Sequence, residues 1–112
     1  MKDKIFLLIL TASITQYLWT GNPMANGEYP YLGAVAVSDR SIPLNSEVAI
    51  YQKTLKDGTK YFKVYDVKDR TALFIHREHG LTIDIYTEGT EQEALKFGRK
   101  QREIRFLPIL TE

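Results

Sequence analysis

The sequence contains no cysteine. That excludes disulfides, thiolate zinc sites and a thiol nucleophile. It has only two histidines, so an imidazole metal site would need carboxylates to complete it. Charge of neither sign dominates: 15 Lys+Arg against 14 Asp+Glu leave a net charge of +1, with the signs interspersed. There is therefore no basic stripe for nucleic acid and no acidic tail for a basic partner. No apolar run reaches the ~18 residues that cross a bilayer, which argues against a transmembrane span. Internal repeats and low-complexity tracts are also missing. What remains is 112 residues, 44% hydrophobic and 26% charged, which is material for one compact domain. A large barrel enzyme or a two-halved doubly wound fold would need more chain.

The amino terminus reads in two ways. Met1-Lys2-Asp3-Lys4, the apolar run Ile5–Leu10 and the small residues Thr11-Ala12-Ser13 match a short secretory signal, cut after Ser13. The same β-branched and aliphatic run matches a first β-strand buried on both faces. Residues 1–13 are thus a signal segment or a first strand, and residues 14–112 form a single domain. An extracytoplasmic location follows only from the signal reading.

Further along, short strands alternate with turn signals. Ile14–Trp19 alternates and stops at Thr20-Gly21-Asn22-Pro23. Gly33–Ser38 is a short buried strand, and Glu47–Tyr51 is the next. Lys56-Asp57-Gly58-Thr59 predicts a hairpin, because Asp-Gly tolerates the positive φ of a tight turn. Lys60–Val67 returns, Arg70–Gly80 reads as irregular and polar, and Leu81–Tyr86 alternates with Asp84 on the face opposite Leu81, Ile83 and Ile85. One helix is marked near the C-terminus. Thr90 and Glu93 have capping-box spacing, Ala94, Leu95 and Phe97 form an apolar face, and Gly98 ends it. Glu103–Leu107 is a last strand before Pro108. Many short strands with one short helix predict a small, mainly β barrel.

Three segments carry a resemblance. Gly33-Ala34-Val35-Ala36-Val37 followed by Ile42-Pro43-Leu44, then Ile83-Asp84-Ile85-Tyr86 followed by Glu93-Ala94-Leu95-Lys96-Phe97-Gly98-Arg99, and the loop Thr20–Gly27 resemble the three-aspartate (3D) domain family over roughly Ile14–Leu107. The resemblance implies a six-stranded double-psi β-barrel, similar to the catalytic domain of membrane-bound lytic transglycosylases. It implies cleavage of the β-1,4 glycosidic bond of peptidoglycan without water, leaving a 1,6-anhydro-muramyl end. Of the family's aspartates, Asp84 is in register and Asp69 matches the second, with Asp66 as a rival. Ser38 stands in the first slot, and Asp39 follows one residue late.

That chemistry needs an acid to protonate the leaving oxygen. A hydrolase adds a second carboxylate. A lytic transglycosylase can use one carboxyl group twice: it gives a proton to the glycosidic oxygen, then as carboxylate takes the proton of the sugar's own 6-hydroxyl as that oxygen closes on C1. Asp84 is the candidate acid, with Asp69 and Asp39 as candidate second charges that raise its pKa. Tyr17, Trp19, Tyr29 and Tyr31 surround the first loop and are candidates for stacking on sugar rings; packing within the barrel is the alternative use of such residues. His76-Arg77-Glu78-His79 reads as a solvated polar loop, so no metal is expected. Gly21, Gly27 and Gly33 have the wrong spacing for a phosphate loop, so no cofactor is expected.

Three functions remain open. The first is a bacterial or phage peptidoglycan-cleaving enzyme of lytic transglycosylase type, whose partner is the glycan strand. The second is a non-catalytic cell-wall-binding module whose site has decayed at Ser38. The third is a small structural protein on the same barrel, monomeric or a dimer that exchanges an edge strand.

Overall fold

A computed structural model describes residues 8–107. Among these, six strands and two short helices follow in the order β1 Leu8–Tyr17, β2 Ala34–Val37, β3 Glu47–Thr54, β4 Lys60–Arg70, α1 Leu73–His79, β5 Thr82–Tyr86, α2 Glu91–Phe97 and β6 Lys100–Leu107. The strands close into a barrel in the order β1-β5-β2-β4-β3-β6. Antiparallel pairing of β6 with β1, Leu8 opposite Phe106 and Ile14 opposite Lys100, shuts the ring.

Period-2 alternation places the core. Ile14, Val35, Val37, Val48, Ile50, Val67, Ile83 and Ile104 are each 0% exposed and meet inside the ring. All are β-branched, stiff at χ1 and suited to a pleated surface. Burying each contributes roughly 1.5–3 kcal/mol relative to exposure.

The ring repeats itself. Advancing every strand number by three turns the parallel pair β1–β5 into the parallel pair β4–β2. The same shift turns the antiparallel pair β3–β4 into the antiparallel pair β6–β1. The pairs β2–β5 and β3–β6 map onto themselves. The barrel is therefore two interleaved three-stranded halves about a pseudo-twofold axis. That axis runs through the β2–β5 ladder, whose middle pair is Ala36–Asp84. No sequence repeat announces this.

Several expectations need revising. Arg70–Gly80 is not irregular, because it holds α1, so there are two short helices among the described residues rather than one. Helix α1 buries no residue and has no side-chain N-cap, so it lacks the apolar stripe by which a helix is read. On α2 the capping box of Thr90 and Glu93 is present, and Gly98 closes the helix at a φ of 67°. Leu95, expected on its apolar face, is 74% exposed. The Asp57-Gly58 turn lies in a five-residue connection, with Gly58 at a φ of 90°. At the amino terminus, Leu8–Ser13 are the first part of β1 and pair with β6, and Ala12 and Ser13 are buried. Residues 1–7, the rest of the signal-or-strand segment, lie outside the described residues. β1 pairs with β6 over Leu8–Ile14 and with β5 over Ser13–Tyr17.

Candidate functional site

Residues that alternate with the core point outward over β1, β5, β2 and β4. The ladder aligns them in rows. The central row runs Thr15, Asp84, Ala36, Asp69, one residue from each strand. Asp84 and Asp69 flank Ala36, two inter-strand spacings apart, about 10 Å between backbones. The alanine methyl forms the floor between them.

Asp69 faces this way because of a bulge. Val35 pairs with Val67, but Ala36 pairs with Asp69, leaving Lys68 as an extra residue. Without the bulge, Asp69 would oppose Val37 and point into the core. A bulge thus re-aims a carboxylate onto the groove, a recurrent use of such irregularities near sites. Lys68 Nζ is anchored on Asn45 Oδ1 at 2.8 Å.

The two carboxylates differ in environment. Asp69 Oδ1 accepts from the backbone N–H of Ala25 and of Arg70, both at 2.8 Å. The first of these bonds lays the β1–β2 loop over the strand end. Asp84 Oδ1 accepts from the Thr15 hydroxyl at 2.8 Å. Asp84 Oδ2 has no donor among the described residues. Burial pushes the Asp84 pKa up, and the Asp69 charge adds to that push; the Thr15 hydrogen bond and the Arg99 guanidinium partly offset it. Asp84 therefore favours its protonated form more than an ordinary aspartate does.

The neighbouring row is Ser13, Thr82 and Ser38, all buried. Each hydroxyl is tied to another side chain. Gln101 Nε2 donates to Ser13 Oγ at 2.8 Å, and Arg99 Nη1 donates to Thr82 Oγ1 at 3.2 Å. Ser38 Oγ accepts from the Thr82 N–H at 2.8 Å and lies 2.8 Å from His76 Nδ1. His76 thus fastens α1 to the barrel. Sequence reading took it for a solvated loop residue, since nothing in the local pattern marks a hydrogen bond across 38 positions. Thr15 and Arg99 were likewise not singled out, although Thr15 alternates with the apolar residues of its strand.

On the other side of the carboxylates, Tyr17 pairs with Tyr86, their rings edge to face with centroids 5.5 Å apart. The Tyr17 hydroxyl is buried without a hydrogen-bond partner. Tyr31 OH donates to Asp66 Oδ2 at 3.0 Å, and burial together with that carboxylate pushes its pKa up to about 12. Asp66 is thus engaged elsewhere. Trp19 and Tyr29 stack on each other at 5.5 Å and are 54% and 58% exposed. The four aromatics therefore separate: Trp19 and Tyr29 offer open ring faces, while Tyr17 and Tyr31 point their hydroxyls inward.

Asp39 is not brought to the other two aspartates. It lies past the end of β2, three residues from Ala36, on the order of 10 Å along the strand direction. Its Oδ1 accepts from the Ser41 N–H at 2.9 Å and hydroxyl at 2.7 Å. Those bonds hold its pKa below the usual aspartate range. It closes a turn.

An open cavity of about 430 Å³ lies between the end of β1 and α2, bounded by Tyr17, Trp19 and Leu95. A larger one of about 690 Å³ lies on the other face of α2, beside Lys96, Phe97 and Lys100. Neither cavity is lined by Asp84 or Asp69; the smaller is lined by Tyr17, which shares the outward face of β1 with Thr15. No group of three or more His, Asp or Glu side chains suited to a metal ion occurs among the described residues.

The chain is similar to the B-enzyme of Bacillus subtilis, with 34% identity over 95 residues, covering 75% of this chain and 80% of the relative. No family model and no solved structure matches it.

Proposed function

The chain belongs to the family of the Bacillus subtilis B-enzyme, and from that premise we propose that it is a peptidoglycan-cleaving enzyme of lytic transglycosylase type on a double-psi barrel. The observation that carries the reading is the pair Asp84 and Asp69 across the small floor of Ala36, with Asp84 favouring its protonated form. The relative bears an enzyme's name. The interleaved halves, with parallel pairs β1–β5 and β2–β4, support the double-psi assignment.

In this reading Asp84 gives its proton to the β-1,4 glycosidic oxygen and the C1–O bond breaks. The Asp84 carboxylate then takes the proton of the 6-hydroxyl as that oxygen bonds to C1. Asp69, held in place by its two backbone donors, faces the positive charge developing at C1. Trp19 and Tyr29 stack on sugar rings beside the cavity. Arg99 restrains the Asp84 pKa, which favours the carboxylate left after donation. Such a substrate places the site of action outside the cytoplasmic membrane.

The test is digestion of insoluble peptidoglycan with mass spectrometry of the soluble products. The native chain yields anhydro-muramyl ends, and Asp84→Asn, folded by circular dichroism, yields none. Products heavier by one water would replace transglycosylation with hydrolysis. Binding to the wall with no product from either chain would leave a binding module, in keeping with Ser38 serving as an anchor for α1.

A further inference from the structure

One buried group takes no part in that mechanism. The Tyr17 hydroxyl is shut from solvent and lacks a hydrogen-bond partner, the sole such side-chain polar atom among the described residues. An unpartnered buried hydroxyl is costly and uncommon. Register fixes where it sits. Tyr17 is two residues beyond Thr15 on the same face of β1, and Thr15 is paired with Asp84. Tyr17 is thus the diagonal neighbour of Asp84 across the β1–β5 ladder, a distance that aromatic side chains span. The edge-to-face contact with Tyr86 holds the ring there. Burial and the charges of Asp69 and Asp84 push its pKa far up, so the hydroxyl stays a donor throughout the accessible pH range.

The two carboxylates have unequal needs. Asp69 already accepts two backbone hydrogen bonds. Asp84 has one, from Thr15, on one oxygen. While Asp84 is protonated that suffices. Once it ionises, a half-buried carboxylate with one donor is under-solvated.

We propose that Tyr17 is a positioning residue: its phenol donates a hydrogen bond to the Asp84 carboxylate whenever Asp84 has lost its proton. The resting protein leaves this donor unused, and the ionised state takes it up. The groups facing Asp84 are then complete. Thr15 and Tyr17 act from β1, Asp69 from β4 and Arg99 from the segment after α2, with the uncharged Ala36 opposite on β2. Tyr17 itself faces Asp84, Asp69 and Tyr86. The role in turnover rests on the glycan-cleaving reading; the hydrogen bond does not.

The experiment is a carboxyl carbon-13 NMR titration of Asp84 and Asp69 in the native chain and in Tyr17→Phe. Peptidoglycan kinetics are measured on both. Loss of the donor raises the Asp84 midpoint by about one pH unit, the order expected when a hydrogen bond to the charged form is removed. Below the Asp84 midpoint the melting temperature is unchanged or higher, since an unpaired hydroxyl has gone. In the native chain the Tyr17 Cζ resonance moves with the Asp84 midpoint, a readout that needs no variant. In the kinetics, kcat falls about tenfold with KM retained. An Asp84 midpoint that does not move, or a shift confined to Asp69, overturns the hydrogen bond. A shifted midpoint with unchanged kcat overturns the positioning role. If the native chain cleaves no glycan but the midpoint moves, the enzymatic reading fails and the Tyr17–Asp84 bond stands.

Discussion

At the scale of single residues, the site trades stability for a proton. The Asp84 pKa is raised in the folded chain, so the folded state holds this proton more tightly than the unfolded state does. The stabilisation is full at low pH and is lost as pH climbs from the ordinary aspartate range through the raised value. Asp84→Asn removes that loss. It should melt at a higher temperature than the native chain at pH 7 and show a smaller difference at pH 3, by calorimetry at both values. Asp39 behaves oppositely. Its depressed pKa contributes stability at neutral pH that falls away on acidification, so Asp39→Asn flattens the acid limb and leaves glycan cleavage intact. The facing of Asp84 was legible in the sequence, because clean alternation over Leu81–Tyr86 fixed which face it takes. The separation of Asp39 was not, since a turn residue's distance from a strand depends on ladders with distant segments.

Among the elements, irregularities matter more than the regular ladders. Deleting Lys68 should remove the bulge and leave Asp69 next after Val67, still opposite Ala36 and still on the outer face. The expected result is a chain that folds, by circular dichroism. Parity counting along Lys60–Arg70 cannot reveal such a bulge, which is why Asp69 was recognisable as a candidate but its orientation was not. The helices contrast in the same way. The Thr90 capping box is local, within three residues, and was readable; Thr90→Ala should cost about 1 kcal/mol in urea denaturation. α1 has no local signature, and its anchor, Ser38 to His76, joins two distant segments. Ser38→Ala leaves the Thr82 N–H and the His76 ring without their partner, so amide exchange over Leu73–His79 should accelerate at the same pH. β1 poses the sharpest element-scale question. Removal of residues 1–13 takes away Leu8–Ser13 and with them most of the β1–β6 ladder. Such a chain should show no cooperative melt.

For the whole molecule, closure is the governing fact. The strand holding Leu8 must find the strand holding Phe106 before the ring exists, so little of the fold is local and folding belongs to the slow, millisecond-to-second class. The sequence announced many short strands and hence a barrel, since turn chemistry and alternation are local signals. It could not announce the order β1-β5-β2-β4-β3-β6, which depends on pairings between segments that carry similar apolar patterns. The pseudo-twofold arrangement has a topological corollary. The chain ends beyond Leu8 and Leu107 leave from adjacent strands, while the Asp57-Gly58 turn separates one half from the other. Joining residue 112 to residue 1 and opening the backbone at that turn would give a circular permutant with the halves in reversed order. Because each half occupies the position of the other, the permuted chain threads the same ring along an equivalent path. The barrel has, in that sense, no privileged beginning.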